Sequence, residues 1–263
     1  MNLLQCFLTK NDCYKAGRRL TPKGVMVHDT GAENAYIKRY VQPNVNGIGE
    51  NKYNNDWNRP GVTKCVHAFI GKLNDGTIAT VQTLPFNYRG WHGGGASNNT
   101  HLSFEICRDI NNAEYFHLVY KEAVEFTAYL CKLYYLDPLQ DGVVICHHEG
   151  YERGIASNHA DVTEWFPLYG KSMDTFRKDV KAAMYTANQD FDFDTMFNEY
   201  REKLRDNDAE DWSKAARDWA TQNGFVSGGD AFADGTPNYM WGDFVNREQL
   251  VTVLYAMHQK GLF

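Results

Sequence analysis

No apolar run in the sequence approaches the roughly 20 residues that a membrane-spanning helix requires. The opening stretch, MNLLQCFLTKNDCYKAGRRL, also lacks the features of a signal peptide. Its apolar start is interrupted by Gln5, Lys10 and Asp12, and no basic residues precede it. The expectation is a protein made and folded in the cytoplasm, reaching any extracellular target only after release by another protein. Positive charge is in short supply: 27 Lys and Arg face 33 Asp and Glu, with a formal net charge of -6 and a pI near 5.8. That balance gives no general attraction for nucleic acid or an anionic membrane, and neither is expected as a partner. The six cysteines form no Cys-x-x-Cys pair, so neither a thiolate zinc site nor a disulfide framework is expected. Cys65, Cys107 and Cys146 lie in apolar stretches and read as small buried hydrophobes in a reducing compartment. There is no internal repeat and no low-complexity tract. Gly93-Gly94-Gly95 lacks the lysine and the strand-to-helix setting of a phosphate-binding loop, and reads as a flexible loop.

What is present is enough for a packed core: 43% hydrophobic residues, 14% aromatic and 23% charged. The length of 263 residues suits a large domain with a small appendage. Strand-like runs cover Gly24 to His28, Cys65 to Lys72, Thr77 to Gln82, Leu102 to Cys107 and Val143 to His147. Asn74-Asp75-Gly76 supplies the turn chemistry of a hairpin, which adds an antiparallel component. Between Tyr115 and Leu136, the residues Phe116, Val119, Ala123, Phe126, Leu130 and Leu133 recur at three- and four-residue steps, the inner face of a long helix ended by Asp137-Pro138. A second helix is predicted from Ser172, its N-cap, to about Tyr185, with Met173, Phe176, Val180 and Met184 inward. The fold class is therefore α/β, a mixed central sheet flanked by helices. The boundaries are 1–185 for the main domain, 186–207 for a linker with a charged helix over Thr195 to Arg205, and 208–263 for a small, mainly helical module.

Three of the nine histidines, His28, His67 and His147, sit at the ends or starts of strands, where side chains can converge at one edge of a sheet. Ala156-Ser157-Asn158-His159-Ala160-Asp161 adds a polar loop with a carboxylate. Two histidines and one carboxylate, with a fourth position open to water, form the ligand set of a hydrolytic zinc site. Spacing alone leaves that reading open beside core or surface histidines, because these residues form no short motif such as His-Glu-x-x-His.

The ordered segments Val27-His28-Asp29-Thr30-Gly31, His67-Ala68-Phe69-Ile70, Trp91-His92-Gly93, Ser103-Phe104-Glu105-Ile106, Cys146-His147-His148-Glu149-Gly150 and Asn158-His159-Ala160-Asp161 resemble those of the amidase-2 family. That family includes phage lysozyme-type amidases, bacterial muramyl-peptide amidases and peptidoglycan recognition proteins. The text is most similar to endolysins and prophage amidases of Firmicutes, over roughly Met1 to Tyr185. The resemblance implies a Zn2+ site at one edge of the sheet, with His28, His147 and Asp161 as ligands and His148 as the runner-up to His147. It implies hydrolysis of the amide between N-acetylmuramic acid and L-alanine of peptidoglycan. Glu105 would be the general base, and the rival reading pairs that carboxylate with Arg89 or Arg108. His159 stands where many members carry lysine. It would stabilise the oxyanion, and a histidine there would make activity sensitive to pH near about 6.5. His67, Arg89, Trp91 and His92 fall where the family lines its substrate groove. Trp91 is open to ordinary core packing as well.

The tail, Trp212 to Gly261, resembles a single S-layer-homology-like unit, which implies binding to a secondary cell-wall polymer. Such units usually act as three copies, so self-association into a homo-oligomer would restore the trimer. Arg247, near Trp241, is the candidate contact for an anionic glycan, and neutralisation by Glu248 or Asp243 is the alternative. Two other functions remain on the same residues: a peptidoglycan-binding protein without catalysis, and a stem-peptide endopeptidase.

Overall fold

Alternation along the strands decides which face of the sheet each residue serves. Six strands, β1 (Leu3–Gln5), β2 (Gly24–Glu33), β3 (Ala68–Lys72), β4 (Ile78–Gln82), β5 (His101–Arg108) and β6 (Val144–Cys146), form one sheet in the order β1-β4-β3-β5-β2-β6. Only β3 and β4 pair antiparallel, through the expected Asn74-Asp75-Gly76 turn, where Gly76 takes φ +89°. The remaining pairs are parallel, so β2, β3, β5 and β6 point their carboxyl ends the same way. The sheet is thus mixed and flanked by helices, as the sequence led us to expect. β1 was not anticipated; three residues with no alternation leave no strand signal.

Val25, Val27, Ala68, Ile70, Leu102, Phe104 and Ile106 belong to one core cluster, together with the buried face of α2 (Ala113–Leu133). Helix α2 starts at the Asn112 N-cap, whose side chain accepts the Tyr115 N–H at 3.0 Å. It stops before Asp137-Pro138, because Tyr135 turns into the left-handed region at φ +55°. Leu133, assigned to the inner face, therefore sits at the last turn and is 45% exposed. Helix α5 (Met173–Gln189) follows its predicted start: Ser172 Oγ accepts the Thr175 N–H at 3.2 Å, and Met173, Phe176 and Val180 are buried in the same cluster. The alternate strand residues, among them Phe69, Val81 and Cys107, face a second cluster built with Ile37, Tyr40 and Ile48. His28 and Glu105 are register partners on β2 and β5 and share this second face. All six cysteines are unpaired thiols, five of them buried.

The computed structural model describes residues 1–189, 197, 200, 201, 204, 207–229, 231, 232 and 234–262. The chain divides into two compact units, Met1–Ala187 and Asn188–Phe263. The connector helix expected over residues 195–205 lies outside the described residues, apart from positions 197, 200, 201 and 204. In the second unit the helix Lys214–Gln222 is followed by Gly224 at φ +66°. The helix Arg247–Gln259 opens with a capping box in which the Asn246 and Gln249 side chains each accept the other's backbone N–H. Lys260 Nζ donates to the Asn223 carbonyl, and its charge lies over the Phe225 ring. Asp243 is paired with Arg201, with contacts at 2.9 and 2.8 Å.

Candidate metal centre

Three ligand atoms converge where β2, β6 and the loop after α3 (His147–Glu152) meet. His28 Nδ1 lies 2.8 Å from Asp161 Oδ2, His147 Nδ1 lies 3.0 Å from His28 Nδ1, and His147 Nδ1 lies 3.3 Å from Asp161 Oδ2. A tetrahedral zinc site with nitrogen and oxygen ligands at about 2.0–2.1 Å spaces its ligand atoms by about 3.3 Å. The donor set and its spacing fit such an ion, and this is the group among the described residues able to hold a metal.

Each of the three residues is placed by local structure. His28 sits inside β2, 1% exposed, on the face opposite α2. His147 opens α3 rather than ending a strand, and that turn is fixed by Glu149, whose Oε2 accepts the Cys146 N–H at 3.0 Å while Arg177 holds the carboxylate. Helical rotation turns His148 away, leaving it half-exposed and 3.5 Å from Glu152. Asp161 occupies the N-cap of α4 (Val162–Trp165) without capping it, and its side chain goes to the two histidines instead. Its backbone takes φ +47° and ψ -129°, a strained conformation for a residue with a Cβ, of the kind that clusters at functional sites. Burial raises the Asp161 carboxyl, but hydrogen bonds and charge from His147 and His28 outweigh it and hold the group below the usual carboxylate range. Burial drives His28 down, against the pull of Asp161.

The outer nitrogens of both histidines are also engaged. His28 Nε2 is 3.0 Å from His92 Nδ1, and His92 Nε2 is 3.3 Å from the His101 carbonyl. His147 Nε2 is 3.2 Å from Ser157 Oγ, which donates to the Gly93 carbonyl at 3.3 Å. Gly93-Gly94-Gly95 is not a free loop. A Cβ at Gly95 would lie 2.5 Å from the Ile155 carbonyl oxygen, and one at Gly94 2.7 Å from Ser157 Oγ, so glycine here lets two backbones close together beneath His147.

Glu105 is half-buried, and its buried Oε2 lacks any hydrogen-bond partner among the described residues. Burial pushes its carboxyl well above the usual range, Asp161 and Asp29 add to that, and Lys64 opposes it. Neither arginine considered as its partner takes the role: Arg108 reaches Asp29 and Glu33, at 3.6 and 3.0 Å, and Arg89 donates to Asn99 at 2.6 Å. Asp29 is buried as well, which lifts its carboxyl to about 6. His159 is exposed, its ring centroid 4.7 Å from that of His147.

The expected groove residues separate. His67 is fully enclosed; its Nδ1 accepts the Ser103 N–H at 3.0 Å and its Nε2 meets the Tyr88 carbonyl at 2.8 Å. That is a satisfied structural histidine and corrects its assignment to the groove. His92, partly exposed, supports His28. Trp91 is 43% exposed, which removes core packing as its explanation, and Arg89 lies over its ring at 5.2 Å. This pair lines a shallow concavity of about 170 Å³. His92 and Ser157 as supports of the ligands had no signal in the sequence, since each depends on contacts between distant segments.

The family model described as N-acetylmuramoyl-L-alanine amidase matches residues 18–164, more than half of the chain. Among solved structures, the Staphylococcus aureus hydrolase AmiA in complex with its ligand is similar over 70% of this chain and 83% of its own, at 22% identity and a TM-score of 0.52, a likeness of fold. A mutant endolysin from Bacillus subtilis is similar over 68% of this chain and 99% of its own, at 20% identity and a TM-score of 0.46. No curated protein matches.

Proposed function

The chain belongs to the N-acetylmuramoyl-L-alanine amidase family, and on that premise we propose that it is a zinc-dependent hydrolase of the amide between the lactyl group of N-acetylmuramic acid and L-alanine, lysing cell walls as an endolysin or autolysin. The convergence of His28 Nδ1, His147 Nδ1 and Asp161 Oδ2 carries this reading. Zinc held by these atoms would polarise the scissile carbonyl and make a water molecule acidic enough to attack near neutral pH. Glu105 takes the proton of the attacking water, a task suited to a carboxylate whose burial has raised its proton affinity. The same group then returns the proton to the leaving amine of L-alanine. His159, beside His147, donates to the oxygen that becomes negative during attack.

Both ligand histidines, the carboxylate ligand and Glu105 are present together, which favours an enzyme over a binding protein that has lost catalysis. The test is mass spectrometry of muropeptides released from purified walls. Free glycan with an intact stem peptide is expected; a stem peptide cut internally would assign the site to an endopeptidase instead. We propose that the second unit targets a wall polymer. Trp212, Trp241 and Arg217 line a cavity of about 670 Å³ there, with Arg217 over the Trp241 ring at 5.8 Å.

A further inference from the structure

Glu105 opens onto a cavity of about 390 Å³ whose wall is cationic: Arg39, Arg59 and Lys64 line it with Thr30 and Trp57. None of the three cations has a carboxylate within ion-pairing distance among the described residues. They are nevertheless positioned. Arg39 Nη1 donates to the Asn55 carbonyl at 2.8 Å and its guanidinium lies 5.4 Å from the Tyr40 ring centre. Arg59 Nε donates to the Asp56 carbonyl at 2.7 Å, and Lys64 Nζ stands 4.8 Å from the Trp57 ring centre. Among the described residues, the remaining guanidinium N–H groups and the ammonium have no hydrogen-bond acceptor, which leaves them for a ligand. Three positive charges against the single carboxylate of Glu105, in a chain with a net charge of -6, mark a built anion site beside the reacting centre.

The two sides of the scissile amide differ in charge. The glycan side carries no carboxylate of its own once the lactyl group is in amide linkage. The peptide side carries several, the first being the α-carboxyl of the second stem residue, a glutamate joined through its side chain. Two residues of extended chain span roughly 7 Å, so this carboxylate lies a short reach from the scissile amide, and the pocket adjoins the general base. We propose that the Arg39, Arg59 and Lys64 pocket binds this free α-carboxylate on the leaving-amine side, so that the enzyme selects stem peptides bearing the acid over those bearing the carboxamide. Guanidinium groups form strong charge-assisted bonds with a carboxylate, and a carboxamide supplies no charge to meet them. The inference rests on the amidase reading.

The experiment uses the zinc-loaded full chain and two soluble muropeptides that differ only in this group, acid or carboxamide. Wild type is expected to show a kcat/KM ratio of about ten in favour of the acid, expressed mainly in KM. In the Arg39→Gln, Arg59→Gln, Lys64→Gln variant that ratio is expected to fall toward one. Being internal to each preparation, the ratio is insensitive to partial loss of folded protein. A wild-type ratio near one, or a ratio unchanged in the variant, overturns the proposal. Calorimetric binding of the two free stem peptides provides a second reading that needs no turnover. Acid-selective binding without amide cleavage would sink the amidase reading and keep the pocket, whereas cleavage with equal binding of both peptides would do the reverse.

Discussion

His28 Nε2 and His92 Nδ1 stand 3.0 Å apart, while Nδ1 of the same His28 ring meets Asp161. With Nδ1 committed to the ligand cluster, the His28 ring proton sits on Nε2 and donates to His92. The proton of His92 is then on Nε2, facing the His101 carbonyl. His92 thereby fixes both the tautomer and the rotation of a ring in the candidate metal cluster. Partners of this kind typically contribute about 10–100-fold to metal affinity. His92→Ala is expected to weaken zinc binding by that factor in a competition titration, and His92→Gln, which retains an acceptor, to recover part of it. Equal affinity in all three proteins would remove the role.

Glu105→Gln should separate activity from stability. Loss of the base is expected to lower kcat by about 10²–10⁴-fold with zinc still bound. A buried carboxylate with an unpartnered oxygen is also a cost to the fold. The metal-free variant is therefore expected to unfold at the same or higher urea concentration than metal-free wild type. Near wild-type turnover would dismiss Glu105 as the base.

His159 has a narrower task. His159→Ala is expected to reduce kcat by about 10²-fold or more while leaving zinc content unchanged, since its ring flanks the ligand His147 without belonging to the converging set. Retention of near wild-type turnover in the zinc-loaded variant contradicts the assignment.

His67 gives the fold a pH dependence of predictable sign. Burial holds its ring at about 4, against the opposing bonds to Tyr88 and Ser103, whereas the unfolded chain protonates it near about 6.5. The unfolded state therefore binds the extra proton between these values. Stability from the neutral ring is complete above pH 6.5 and is lost as pH falls toward 4, by on the order of 3 kcal/mol. Urea midpoints of the metal-free protein should drop over that interval, and drop less in His67→Gln. Equal slopes would show that the ring is not the source.

How much of this was legible depended on the range of the contacts involved. Strand alternation is local, so His28 and Glu105 each read as facing away from their apolar neighbours, but their meeting on one face depends on the pairing of β2 with β5. The inner face of α2 was readable by period, except at Leu133, where the left-handed Tyr135 ends the helix a turn earlier than Asp137-Pro138 suggested. Asp161 could be carried over from family resemblance, but its strained backbone and its diversion from capping α4 are products of the surrounding fold. His67 looked like His28 in sequence, each ending or opening an apolar strand. Only packing brings one into the converging set and makes the other a satisfied core residue. The Arg39, Arg59 and Lys64 pocket comes from a segment without periodicity, and no spacing in the text announced it.

Metal content and wall lysis measured on one preparation, for wild type and Asp161→Ala, test the zinc-amidase reading most directly. Wild type is expected to hold one zinc per chain and to lyse walls, and Asp161→Ala to lose both together, because His28 and His147 alone leave the cluster without its anionic ligand. Lysis that persists in the zinc-free variant would contradict it.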